Sequence, residues 1–382
     1  MARPTQRNTK AIESLIRLAI RHPRTALIVA AITIVVLIVL SQSWRFTKKP
    51  PPVTGDGKPA TVLLCAWNVE NFYDDRDDLN INDDMEDWFG NDAAAYRAKV
   101  DHLAEAILKM NDGIGPDIAC LCEVENDRCL ESLKDALNAK LDAAGLGDRK
   151  YTTILFKGDN TGRHFAPAIL TRLGVTGDRT RKLGTRYNGR ILEGHLHHNG
   201  HELIVIAAHW TSRVSDDKDD GRRRLSYAND CYGRIKAILK ENADADIVLC
   251  GDFNDEFHDV SMQTGLRACK NADEVRNAID EPKLFAPLAD WTGQPPGTIR
   301  HERKWYIFDH ICVTRGILDN RAWSSDAKTA SVFGPDPLRR NFRDGNYEPF
   351  KFGNKNWKGD RGYSDHFPVT IQLSVAGAEA GK

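Results

Sequence analysis

The sequence predicts an α/β fold with mixed rather than all-parallel β-sheets. Two observations predict it. Short apolar runs alternate with stretches whose apolar residues recur at helical spacing. Between two of those runs, Asn199-Gly200 supplies the positive φ angles of a tight turn, which joins antiparallel strands. No repeat, low-complexity stretch or mid-chain linker divides the long C-terminal part of the 382 residues, so one large domain is expected over residues 60–375.

Residues 61–67 open that domain as a buried strand. Residues 74–87 are strongly acidic, lack the Gly and distal Glu of a calcium-binding EF loop, and are expected to be a solvated insertion. Val100, Leu103, Ala104, Ile107 and Leu108 form one stripe of a helix over 94–110. Residues 117–122 read as a buried strand, and 130–141 as a second amphipathic helix. Two strands in 151–171 flank a loop carrying Asp159, Gly162, Arg163 and His164. The hairpin spans 191–208, a helix with a basic first half spans 222–239, and strands follow at 246–250, 305–313 and 367–373.

The N-terminus is a separate physical object. Residues 25–40 carry no charge and, continued through Trp44, make a run of about 20 residues, or about 30 Å of helix, enough to cross a hydrocarbon core. Arg3, Arg7, Lys10, Arg17, Arg21 and Arg24 precede it, against Arg45, Lys48 and Lys49 just after it. The positive-inside rule therefore predicts a basic cytoplasmic leader (1–24), a signal-anchor helix (25–44), a Pro-then-Gly linker (45–59), and a domain outside the cytoplasm. Residues 376–382 close the chain as a flexible tail. Two other readings of the apolar run stay open: a cleaved signal peptide, with small residues at Ser41 and Ser43, and a buried core helix.

The chain holds 53 basic and 54 acidic residues, of which six and one precede position 45; the remainder carries 47 and 53, a balance of −6. Such a domain argues against strong indiscriminate nucleic-acid binding, but a local basic rim could still serve a phosphate substrate. Of eight cysteines, Cys65, Cys120, Cys122, Cys250 and Cys312 sit in strand-like runs as small buried hydrophobes. Cys129, Cys231 and Cys269 lie in more polar surroundings, where one pair is free to bridge.

The chemistry lies in six polar motifs, most of them following apolar runs: Trp67-Asn68-Val69-Glu70-Asn71, Cys122-Glu123-Val124-Glu125-Asn126, Ala208-His209-Trp210-Thr211-Ser212-Arg213, Gly251-Asp252-Phe253-Asn254-Asp255, Phe308-Asp309-His310 and Tyr363-Ser364-Asp365-His366. Carboxylates, carboxamides and imidazoles at one end of a set of strands suit a hard divalent cation and phosphate oxygens. Each motif alone has a plain alternative: a strand-end Glu is usually a surface residue, and Asp-x-Asn usually a turn. Six in this order are not plain.

Together they resemble the endonuclease/exonuclease/phosphatase superfamily over roughly residues 60–375, with the stretch from Ala208 to Arg213 and the Arg-rich helix most similar to its bacterial nuclease-like branch. The resemblance implies a four-layered sandwich, two mixed sheets between helices, and a metal-dependent phosphoesterase. It implies Glu123 as metal ligand, with Asn68, Glu70 and Asp365 beside the metal, and Mg²⁺ as cofactor with Mn²⁺ able to substitute. Asp252 would orient or deprotonate the attacking water, Asn254 would hold a phosphate oxygen, and His209 would protonate or polarise the leaving oxygen. Asp309 would fix the tautomer of His366 and raise its pKa, so that the imidazolium meets the charge of the transition state. Whether an Asp or a His is the base stays open.

Arg163 and Arg213 are candidate phosphate clamps, and Arg222-Arg223-Arg224 is either a clamp or a solvated helix start. His195, His197, His198 and His201 crowd the hairpin, where an exposed tip would tolerate them, and His310 should face away from Asp309 into the core. The expected activity is phosphodiester hydrolysis, with nucleic acid as the leading substrate, membrane attachment through the N-terminal helix, and no protein partner. A lipid- or inositol-headgroup phosphoesterase and an inactive membrane-tethered scaffold are the alternatives.

Overall fold

The computed structural model describes residues 56–378, apart from 79–80, 82, 160, 176–178, 185–188 and 217–219. The expected leader, anchor helix and most of the linker lie outside these residues. Among the described residues no helix is long and apolar enough to cross a membrane. The described residues belong to one compact unit.

Two mixed sheets carry the fold. The first is seven-stranded and centres on β1 (Ala60–Phe72), which pairs in parallel with β2 (Ile118–Val124). Beyond β2 come β4 (Ala166–Thr171) and β3 (Thr153–Phe156), both antiparallel to their neighbours. The second sheet is eight-stranded. It holds the hairpin β5 (Ile191–His198) and β6 (His201–His209), then β7 (Ile247–Asp252) parallel to β6, then β8 (Asp309–Val313) antiparallel to β7. The last strand, β9 (Val369–Val375), returns to the first sheet antiparallel to β1.

Alternation along the strands makes the sandwich. On β6, Val205 and Ala207 pack into the large core shared with the first sheet, whereas Ile204, Ile206 and Ala208 pack into a second core. That second core also holds Tyr227, Cys231 and Ile235 of a helix over Arg222–Glu241. On the far side of the first sheet, a helix over Ala93–Leu108 contributes Leu103, Ala104 and Ile107, and one over Asp127–Ala143 contributes Leu130, Leu133 and Leu137. Side chains cap these two helices: Asp92 accepts from the amides of Ala94 and Ala95, and Asn126 from that of Cys129. Helix, sheet, sheet, helix is the expected layering.

Several local expectations are corrected. The acidic stretch is not simply solvated: it contains a helix over Asp84–Asn91, and Asp74, Ile81 and Glu86 are buried. Capping by Asp83 starts this helix, so a run of acids chosen for its charge also encodes a cap. His195 and His197 are buried rather than displayed at an exposed tip, because Glu193 and Glu202 face them and supply partners. The disulfide state that the sequence left open is settled as eight free cysteines, with Cys129 and Cys231 buried inside helix faces. Residues 376–378 are not frayed: the Ala376 amide donates to Ala322 and the Ala378 amide to Gly57.

Candidate active site

Register brings the motifs together. His209 of β6 lies beside Asp252 of β7, and Asp252 beside Asp309 of β8. Paired residues on adjacent strands share a face. On β7, Val248 and Cys250 point into the inter-sheet core, so Asp252, next in that alternation, does too. His310 takes the opposite face, stacks on Phe253 at 5.6 Å and hydrogen bonds the Asp255 carbonyl through Nε2 at 2.9 Å. Phe253 is itself buried against Trp210, on the face away from Asp252. Gly251 permits the approach of β6 and β7: its φ is +135° and a Cβ would lie 1.9 Å from the Ala208 carbonyl oxygen.

The first sheet supplies the facing groups through two bulges. The β1–β2 ladder shifts between Asn68 and Phe72, and the β2–β4 ladder between Leu121 and Val124. Glu70, Asn71, Glu123 and Asn254 all hold positive φ, between 52° and 64°. Left-handed backbone at non-glycine residues is uncommon and collects where function fixes side-chain aim. Glu123 there meets the Asn68 side chain, the Asn71 amide and His209 of β6.

Asn68 joins the halves. Its Nδ2 donates to Glu123 Oε1 and to Asp252 Oδ2, each at 3.0 Å, and its Oδ1 accepts the Glu70 amide. The Asn71 amide donates to Glu123 Oε2 at 2.7 Å. His209 Nε2 lies 3.8 Å from Glu123 Oε1 and 3.7 Å from Asp252 Oδ2, and His366 Nε2 lies 4.0 Å from Asp252 Oδ2. His366 Nδ1 meets Asp309 Oδ2 at 2.7 Å, and both residues are buried.

The two histidines are held in opposite charge states. Burial acts to lower the pKa of His366, but the charges of Asp309 and Asp252 outweigh it and raise that pKa well above the ordinary value. His209 falls to about 4, through burial first and then the charge of Arg190. At neutral pH, His366 is therefore an imidazolium and His209 a neutral ring that donates or accepts hydrogen bonds without a spare proton.

Glu70 is also drawn in, but its carboxylate accepts from the amides of Phe352 at 2.7 Å and Gly353 at 3.2 Å. Burial, then the charge of Asp365, raises it to about 7. Burial likewise raises Asp365, and it raises Asp252 to about 6. The predicted clamps are occupied by acids. Arg163 binds Asp83 and the Asn71 side chain, and Arg213 binds Asp259 and the Asn254 carbonyl. Arg224 is nearly buried and paired with Asp255 at 2.8 Å, so that arginine anchors its helix to the Gly251-to-Asp255 motif.

Three residues were missed. Lys99 is fully buried, donates to the Tyr363 carbonyl at 2.9 Å, and its charge acts on Glu70, Asp365 and Glu123. Its signal was a basic residue one position before Val100 on an apolar helical stripe. Ser364 donates to the Asn68 carbonyl at 2.6 Å and accepts the His366 amide, and the Trp67 indole donates to the His366 carbonyl at 2.8 Å. No spacing rule marks such contacts between distant segments.

The sequence model of the Endonuclease/Exonuclease/phosphatase family matches residues 63–375. The chain belongs to that family. It is thus a hydrolase of phosphoester bonds, in a superfamily of divalent-metal-dependent enzymes that includes nucleases and phosphatases. Its fold is similar to that of an endonuclease/exonuclease/phosphatase family protein from Bacteroides thetaiotaomicron, at 16% identity, TM-score 0.50, covering 83% of this chain and 99% of that one. A mannosyl-6-phosphatase from Bacteroides thetaiotaomicron gives 15% identity and TM-score 0.47, covering 82% and 99%. Truncated TDP2 of Caenorhabditis elegans gives 14% and 0.46, covering 83% and 98%. No curated protein matches the sequence.

The residues fit a divalent cation. Glu70 and Asp252 are buried and Glu123 and Asp365 half-buried; the charge of Lys99 acts on Glu70, Asp365 and Glu123, that of His366 on Asp252 and Asp365, and three of the four carboxyls are pushed upward. Excess buried negative charge of this kind is what a hard cation with oxygen ligands relieves. Glu123 alone is held below its ordinary value: burial opposes ionisation, but His209 and the amides of Asn68 and Asn71 outweigh it. Asp252, Asp309 and His366 also lie within 4.8 Å of one another. Within that trio His366 Nδ1 and Asp309 Oδ2 hydrogen bond, and its acidic groups are a second place where a cation could be held.

Proposed function

We propose that this protein is a Mg²⁺-dependent phosphodiesterase, a nuclease before any other activity, tethered through residues 25–44 with its domain outside the cytoplasm. The observation that carries the reading is the assembly of Asp252, His209 and the Asp309–His366 pair on one rim, facing Glu123. Glu123 would hold the cation, with Asn68, Glu70 and Asp365 around it. When bound, the cation offsets charge gathering on the phosphate oxygens.

Asp252, at about 6, is poised to orient water and to take its proton near neutral pH. His366 presents a fixed positive charge to the oxygens as they gain charge, and Asp309 keeps it protonated. His209 hydrogen bonds the leaving oxygen. Asn254 spends one amide hydrogen on the Trp210 carbonyl, at 3.1 Å, and keeps the other for a phosphate oxygen.

A substrate panel tests the reading: the full chain in detergent with Mg²⁺, given plasmid DNA, single-stranded DNA, RNA, sphingomyelin, inositol phosphates and a generic bis-ester. Cleavage of nucleic acid and bis-ester, abolished by EDTA and restored by Mg²⁺ or Mn²⁺, is expected. Turnover confined to sphingomyelin or inositol phosphates would replace nuclease with headgroup phosphoesterase. For the tether, alkaline phosphatase fused after residue 60 should be active and membrane-bound in a bacterial host. A soluble reporter would favour signal cleavage, and an inactive one would overturn the orientation.

A further inference from the structure

Two hairpins outside the described chemistry are rooted on it. A hairpin of Ile299–His301 with Lys304–Tyr306 begins at Ile299, which bridges to His366, while the Phe367 amide donates to the Thr298 carbonyl at 2.7 Å. A second hairpin, Arg339–Asn341 with Tyr347–Pro349, runs directly into Phe352 and Gly353, whose amides hold Glu70. The two touch: Arg300 donates to the Tyr347 carbonyl at 3.0 Å.

Their composition departs from the rest of the domain. The hairpins, residues 299–306 and 339–349, hold six basic and three acidic side chains, and residues 350–361 after the second add four and one, whereas residues 45–382 as a whole carry −6. Guanidinium groups lie against the rings: Arg340 over Trp357 at 4.7 Å, Arg339 over Tyr347 at 4.4 Å, and Arg300 over Phe342 at 5.9 Å. Phe342 is 37% exposed, the one exposed aromatic among the large hydrophobic side chains described. A cleft of about 450 Å³ lies between the hairpins, lined by Arg300, Arg303 and Phe342 and by Glu302, Asp344 and Glu348. The cleft itself holds three acids against two cations, so the positive excess lies on the flanking residues of 339–361 rather than in the cleft. Trp357 and Tyr347 are half-buried under their guanidinium groups, so Phe342 is the ring an unstacked base of a single strand would meet, its phosphates meeting the flanking cations.

We propose that these hairpins form the docking surface for single-stranded nucleic acid leading into the catalytic rim. The proposal rests on the phosphodiesterase reading for its direction, but its test does not require turnover. The probe is a fluorescently labelled 12-nucleotide single strand, titrated with the full chain in EDTA and read by anisotropy at several salt concentrations. Arg303→Glu with Arg343→Glu, both at exposed positions, should weaken binding at least about tenfold and lower the slope of log K against log salt by about 1.4, for two lost phosphate contacts. Phe342→Ser should cost about 5- to 150-fold through lost stacking and leave the weaker binding of dextran sulfate as it was. Lys236→Glu with Lys240→Glu, an equal charge change on the helix over Arg222–Glu241, should bind like wild type.

Binding unchanged in the hairpin variants overturns the proposal, as does dextran sulfate or a duplex binding as tightly as the strand. Anionic vesicles captured by the same residues in preference to the strand would reassign the surface to membrane. Binding that behaves as expected in a chain that hydrolyses no phosphodiester would instead overturn the phosphodiesterase reading and leave the surface standing.

Discussion

Replacing Asp309 by Asn removes the charge that keeps His366 protonated while changing few atoms. The carboxylate is fully buried and lies 2.7 Å from Nδ1. Opposite unit charges about 4 Å apart, at an effective dielectric of about 20, attract by about 4 kcal/mol. Even half of that exceeds the 1.4 kcal/mol that equals a tenfold change in protonation. The wild-type pKa of His366 is raised, so the imidazolium persists through neutral pH and is lost only as pH climbs through that raised value. In Asp309→Asn the alkaline limb of the pH–rate profile should move to lower pH, and kcat at neutral pH should fall by about 10²-fold or more. His366→Ala should cost about 10²–10⁴-fold, and the double variant no more than the worse single, since both remove one unit. Steady-state kinetics on a bis-ester from pH 5 to 10, with Mg²⁺ saturating, is the assay. His310→Gln, on the opposite face of the same strand, should cost stability but stay within a few-fold in kcat. Additive losses, an unmoved alkaline limb, or an essential His310 with a dispensable His366 would refute the reasoning.

Three further outcomes are expected. Glu123→Gln should weaken Mg²⁺ binding measured by calorimetry and lower kcat/KM by about 10²-fold or more, because a neutral amide cannot balance the cation; unchanged metal affinity would move the ligand elsewhere. Glu193 is held at about 2, because Arg234 and His195 outweigh a burial effect that pushes the other way, so its ionisation stabilises the fold above pH 4.5 and that contribution is lost as pH falls towards 2. His195 is raised, burial being outweighed by Glu193 and Glu202, so its contribution is full below 6.5 and fades as pH rises through the folded value. Glu193→Gln should therefore destabilise by on the order of 3 kcal/mol between those limits, with the difference from wild type shrinking at lower pH in urea melts. Gly251→Ala should cost about 4 kcal/mol or more, or prevent soluble expression, because its Cβ would collide with the Ala208 carbonyl; a wild-type melting temperature would contradict the close approach of β6 and β7.

The sequence by itself determined which candidate residues gather at one rim and which strands present them. Apolar alternation on β6, β7 and β8 follows directly from side-chain period, so the opposed facing of Asp309 and His310 was legible before any coordinate. The Asn199-Gly200 turn and the helical stripe from Val100 to Leu108 were legible for the same reason: both patterns are local. What only the tertiary structure decided is partnership. Whether Glu70 turns to a cation or to the amides of Phe352 and Gly353, and whether Arg163 and Arg213 are free for phosphate or bound to Asp83 and Asp259, depends on segments tens to hundreds of residues away. The buried Lys99 behind the carboxylates and the opposite charge states of His209 and His366 are set in the same way. A pKa or an ion pair is a property of the space around a group, and that space exists only once the two sheets have closed on each other.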